Sequence, residues 1–208
     1  LFSKFFNILL LISLSTALWS ADLYFENVDI SSGTLDIMMT NTPGCSYCTD
    51  YEFENGHGDN DYGCLEYEAS CVIDCKASTN EDGTPADWIV QDVSIPDKNT
   101  CLSMYGTWFD GSIGGMQFYI KGLKVTGMLD GTLKNTFDLL QLNDNADCDA
   151  DGNADEGCNL IMATSMLGWS IEPGINQLLL SVAFEDFNAS GICFAGTETY
   201  AFGTWSPP

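Results

Sequence analysis

The sequence predicts an all-β protein, an antiparallel β-sandwich interrupted by a disulfide-rich insertion. Three observations carry that prediction. Apolar residues alternate with polar ones at period two in several separate runs, the pattern of strands with one buried face. Gly, Pro and Asn separate those runs at turn-length spacing. Nine cysteines follow an apolar leader, which points to an oxidising compartment where thiols pair.

The elements follow in chain order. Residues 1–21 read as a signal peptide: Lys4 supplies the positive charge, Phe5 to Leu14 form an apolar run broken by Asn7, and cleavage is expected after Ala17 or Ala21. No later apolar run reaches the ~18 residues of a bilayer span. The expectation is therefore a secreted, extracellular protein with no membrane insertion after cleavage, residues 22–208 forming one sandwich. Residues 22–30 are the first strand. In 33–40, Leu35, Ile37 and Met39 oppose Thr34, Asp36 and Met38. Strands at 87–94 and 101–108 fall in a Cys-rich, acidic insertion spanning about 44–112. Met116, Phe118 and Ile120 oppose Gln117, Tyr119 and Lys121, and Leu123 and Val125 continue after Gly122, a residue suited to a bend or bulge. A short helix is expected at 136–142 with Asn135 as N-cap, leading straight into an acidic loop. Strands at 160–171 and 192–205 flank the longest apolar face: Leu178, Leu180, Val182 and Phe184.

Three runs carry a resemblance. Gly-Thr-Leu-Asp-Ile-Met-Met-Thr-Asn occupies 33–41, and Ile-Gly-Gly-Met-Gln-Phe-Tyr-Ile-Lys-Gly-Leu-Lys-Val-Thr-Gly occupies 113–127. Leu-Gly-Trp-Ser-Ile-Glu-Pro-Gly followed by Leu-Leu-Leu-Ser-Val-Ala-Phe lies within 167–184. Together they resemble the cohesin-type jelly-roll sandwich over about half of residues 22–208. The resemblance implies binding or assembly rather than chemistry. It breaks at Pro43–Ser112, where six of the nine cysteines stand in place of a short turn.

Residues 147–158 read Asp-Cys-Asp-Ala-Asp-Gly-Asn-Ala-Asp-Glu-Gly-Cys. Acids at positions 1, 3, 5 and 9 with glycine at 6 match the spacing by which a short turn wraps oxygens around calcium. Asp147, Asp149, Asp151, Asn153 and Asp155 are the expected metal ligands and calcium the expected cofactor; a solvated acidic turn is the alternative. Cys158 stands where an EF-hand has its closing Glu. The loop is similar instead to those of thrombospondin type 3 repeats and dockerins. Cys148 and Cys158 bracket it and are the expected disulfide.

Thirty Asp and Glu against six Lys give a net charge of −24, with no Arg. Such a surface repels phosphate, which disfavours nucleic acid and anionic membranes as partners, and no nucleic-acid partner is expected. A protein partner or self-assembly is expected, with a neutral glycan as the alternative. Asp59, Asn60, Asp61 and Gly63 beside His57 suggest a weaker second calcium turn. Cys45-x-x-Cys48 and Cys71-x-x-x-Cys75 fit zinc, but disulfides are expected in an oxidising compartment. His57 is the sole histidine and lies between two glycines, which argues against Ser-His-Asp or Cys-His catalysis. No enzyme is expected, although Glu172, Glu185 and Asp186 are candidate glycosidase acids. Trp88, Tyr105, Trp108, Phe109, Tyr119 and Trp205 are candidates for stacking on sugars, and Asn188-Ala189-Ser190 is a glycosylation sequon.

Overall fold

The computed structural model describes residues 21–50, 75–148, 152–188 and 191–203. Strands β1 (Asp22–Asp29), β2 (Thr34–Asn41), β3 (Gly44–Cys48), β4 (Trp88–Asp92), β5 (Thr107–Phe109), β6 (Ile113–Lys121), β7 (Lys124–Asp130), β8 (Leu139–Asp144), β9 (Cys158–Thr164), β10 (Gly174–Glu185) and β11 (Cys193–Gly203) are joined with helices α1 (Lys98–Ser103) and α2 (Thr132–Thr136). They form an all-β sandwich. One sheet has the order β1-β2-β10-β7 and the facing sheet β11-β6-β9-β8, while β4-β3-β5 make a small third sheet. All pairings are antiparallel. Among the described residues no helix is long and apolar enough to cross a membrane.

Period-two alternation explains the core. Leu35, Ile37 and Met39 of β2 and Leu180, Val182 and Phe184 of β10 are buried against Met116, Phe118 and Ile120 of β6 and Ile161 of β9. Phe194 of β11 stacks on Phe25 of β1 at 4.2 Å and meets Phe118 edge-on at 6.0 Å, which ties the two sheets together. In β10 the inward residues are Leu179 and Leu180 rather than Leu178. A register shift between Leu178 and Leu180 turns two successive leucines inward.

Gly122 does more than bend a strand. With φ +101° it turns the chain from β6 in one sheet to β7 in the other, and a Cβ there would meet the carbonyl of Gly191. Asn159 clamps this corner from β9. Its Nδ2 donates to the carbonyls of Leu123 (2.8 Å) and Ile120 (3.2 Å), and its Oδ1 accepts from the Val125 N–H at 2.9 Å.

Three expected elements are corrected. The helix lies at Thr132–Thr136, not 136–142, and Asn135 is inside it rather than its cap. The strand β8 takes the rest because Leu140 and Leu142 pack inward while Leu139, Gln141 and Asn143 face out, a period of two. The expected strand 101–108 is mostly α1, capped by the Asp97 carboxylate accepting from the Thr100 N–H at 3.0 Å. The expected strand 160–171 stops at Thr164, where the Ser165 hydroxyl oxygen accepts from the backbone of Leu167 and Trp169 and diverts the chain. The described part of the insertion, expected as a disulfide-rich loop carrying strands at 87–94 and 101–108, forms the small third sheet and α1. The bridges Cys45–Cys101 and Cys48–Cys75 pin it.

Candidate metal centre

The acidic loop is a hairpin connection. It joins β8 to β9, neighbours in one sheet, rather than a helix to a strand. Its base is closed in layers. Asp144 pairs with Asn159, and the Ala146 N–H donates to the Cys158 carbonyl at 3.0 Å. The Asp155 N–H then donates to the Ala146 carbonyl at 2.9 Å, and Cys148 and Cys158 are disulfide-bonded with Cα atoms 6.0 Å apart. Closing so short a loop removes about 2.7 kcal/mol of unfolded-chain entropy by the loop-closure relation. The ends of the acidic segment are fixed whatever its middle does.

Within this frame the first and sixth loop positions meet. Asp147 Oδ2 accepts from the Gly152 N–H at 2.7 Å. Gly152 has φ +90°, so the left-handed turn that makes the approach is open to glycine at little cost. Asp155 at position nine folds back, its Oδ2 accepting from the Cys148 N–H at 2.9 Å and lying 3.9 Å from Lys121 Nζ. Asp147 and Asp155 are half-buried and Asn153 is exposed. Asp149 and Asp151 lie outside the described residues.

The donor set is hard. Six carboxylates lie between Asp144 and Glu156 with no cation in that run, and oxygen ligands suit calcium or magnesium rather than zinc. The sulfurs of Cys148 and Cys158 lie within 4.8 Å of an Asp155 oxygen, but they are bonded to each other and offer no thiolate. The neighbourhood already gathers positive charge: Lys124 Nζ donates to Glu185 at 3.0 Å. That hydrogen bond and the charge of Glu185, then Asp186 and Asp144, raise the Lys124 pKa. Beside the loop opens a cleft of about 670 Å³, lined by Lys121, Lys124, Asp144, Glu156, Asn159 and Cys193. The Cys193 thiol is exposed and unpaired. Lys121 and Asn159, which the loop spacing does not reveal, are the two residues brought to the site by the strands around it.

Other candidates are dispersed. Glu172 precedes β10 and Glu185 ends it, so a 12-residue strand separates them, well beyond the roughly 5–10 Å of a glycosidase pair. Trp88 is buried, Trp108, Phe109 and Tyr119 are half-buried, and Tyr119 packs on the disulfide of the acidic loop. Tyr105 is exposed, and Trp205 lies outside the described residues. Cys45 and Cys48 bond to different partners, which rules out a redox pair and a zinc set at those two thiols. His57, Asp59, Asn60, Asp61, Gly63, Cys64 and Cys71 lie outside the described residues. Asn188 is exposed in the β10–β11 turn, with Ala189 and Ser190 outside the described residues. No protein-family model, curated protein or solved structure matches the chain.

Proposed function

We propose that this protein is an exported, calcium-stabilised β-sandwich, cohesin-like in its strand pattern, that serves as a non-catalytic module of adhesion or assembly. Three disulfides among the described residues support an oxidising, extracellular setting. The observation that carries the calcium reading is the contact of Asp147 with the Gly152 N–H inside a disulfide-closed hairpin. The loop is curled through its first and sixth positions, and the run 144–156 contains six carboxylate residues and no lysine or arginine. Asp147, Asp149, Asp151, Asn153 and Asp155 would hold the ion, which supplies the positive charge that lets those oxygens crowd together. The rest of the surface, heavily acidic and without arginine, suits a neutral or cationic partner.

Melting of the purified protein with calcium and with chelator tests this reading. A ligand at a hundredfold excess over its Kd adds about 2.7 kcal/mol to the folded state, so the midpoint should rise by several degrees. The Asp149→Ala/Asp151→Ala variant should lose that rise. An unchanged midpoint in chelator, with the variant behaving like its parent, overturns the reading.

A further inference from the structure

The connection from β9 to β10 lies at the end of the sandwich opposite the acidic loop, and it exposes large apolar side chains. Met166 is 78% exposed, Leu167 74%, Trp169 61% and Ile175, just beyond, 70%. No charged residue lies between Thr164 and Ile171 in a chain of net charge −24. The segment is braced. Ser165 Oγ accepts from the Leu167 and Trp169 N–H groups at 3.1 and 3.0 Å, and the Met166 N–H donates to Asp138 at 2.9 Å. Buried Ile171 then exchanges backbone hydrogen bonds with Ile113 at 2.9 and 3.0 Å. A braced tip that holds a Met, a Leu and a Trp in water, with the carboxylates of Asp138 and Glu172 only at its base, carries a standing cost of about 25 cal/mol per Å².

We propose that this tip is a shallow anchor for an electrically neutral lipid bilayer of the phosphatidylcholine type. Size, charge and placement select that occupant. A standard protein interface takes about 800 Å² from each partner, more than the exposed fractions of one Trp, at roughly 150–250 Å² for the whole side chain, and three smaller side chains supply. A second copy also brings a second charge of −24, and an anionic bilayer is repelled for the same reason. A neutral bilayer accepts a small apolar tip without matched area, and tryptophan favours the headgroup level. The acidic loop stands about 20 Å away along β9, beyond the ~8 Å screening length of physiological salt. The run is far too short to span the bilayer, so the contact is interfacial.

Flotation of the disulfide-bonded protein with phosphatidylcholine vesicles, against the Met166→Asp/Leu167→Asp variant, tests the proposal. Both proteins carry the same N-terminus, so residues 1–20 contribute equally to both. The bound fraction should fall about tenfold or more in the variant, and phosphatidylserine in the vesicles should weaken binding at low salt. Brominated phosphatidylcholine should quench the parent's tryptophan emission, with most of that quenching lost in Trp169→Tyr. The proposal is overturned if the parent does not float, if the folded double variant floats equally well, or if quenching survives Trp169→Tyr. A parent that is dimeric without lipid, and monomeric as the double variant, overturns it in favour of a second copy. Circular dichroism and intact disulfides establish folding; should the double variant misfold, the Trp169→Tyr comparison decides alone.

Discussion

Replacing Asn159 by alanine tests the corner on which the acidic loop is built. Asn159 is 1% exposed, and its amide makes its three shortest bonds to backbone groups: the Val125 N–H at 2.9 Å and the carbonyls of Leu123 and Ile120 at 2.8 and 3.2 Å. Alanine removes all three of these bonds. An orphaned buried polar group costs roughly 1–3 kcal/mol, which bounds the loss at about 9 kcal/mol. The adjoining cleft, lined by Gly122, Leu123 and Asn159, lets water reach part of the corner. The expected loss is therefore about 3–4 kcal/mol, a large fraction of a typical stability of 5–15 kcal/mol. Urea unfolding under oxidising conditions measures it as a lower midpoint at unchanged slope. Asn159→Asp keeps the acceptor for Val125 but sets a carboxylate against two carbonyls, so at neutral pH it should fall at least as far. A loss under about 1 kcal/mol for alanine, or parental stability for aspartate, would refute the clamp.

Gly122→Ala should cost at least about 2 kcal/mol, because φ +101° and the Gly191 carbonyl both oppose a Cβ; a parental melting curve contradicts it. Lys121→Gln should tighten calcium about threefold by calorimetry, since it removes a charge 3.9 Å from Asp155 that competes with the ion; unchanged or weaker affinity argues against Asp155 as a ligand. Asp29 is held down to about 2 by the Ser31 hydroxyl and then by Ser32, and Asp82, Asp92 and Asp97 are lowered by Thr84, Ser94 and Thr100. Folded pKa values below the unfolded ones stabilise the protein above the ordinary carboxylate range, and that contribution is lost as pH falls toward about 2. Carboxyl NMR titration should find Asp29 near that value, and a midpoint close to 3.9 would contradict the turn geometry.

The strands that bury one face were legible because their period survives in the chain: Leu35, Ile37 and Met39, or Met116, Phe118 and Ile120, needed no partner to be recognised. Leu139 hid β8, since Leu139-Leu140 disguises the alternation that Leu140 and Leu142 continue. Helix α1 had a signal in Asp97, an N-cap type after Pro96, but it is too short for helical periodicity to show. At the candidate centre the loop spacing named its own acids, yet said nothing of Lys121 and Asn159. Those two arrive through pairing of β6 with β9, and Asn159 is a polar residue whose burial only the finished corner explains. The apolar tip escaped for a related reason: Met166, Leu167 and Trp169 are indistinguishable from core residues until the backbone is seen to carry them outward.

The bridges Cys45–Cys101, Cys48–Cys75 and Cys148–Cys158 all lie outside the cluster of aliphatic and aromatic side chains between the two large sheets. Covalent and solvophobic cohesion thus occupy different territories. A thiol reductant would strip order from the appended sheet and the hairpin tip first, while the central sandwich of packed aliphatic and aromatic side chains keeps its form. The redox poise of its surroundings governs what this molecule displays at its margins, and only weakly whether it remains folded.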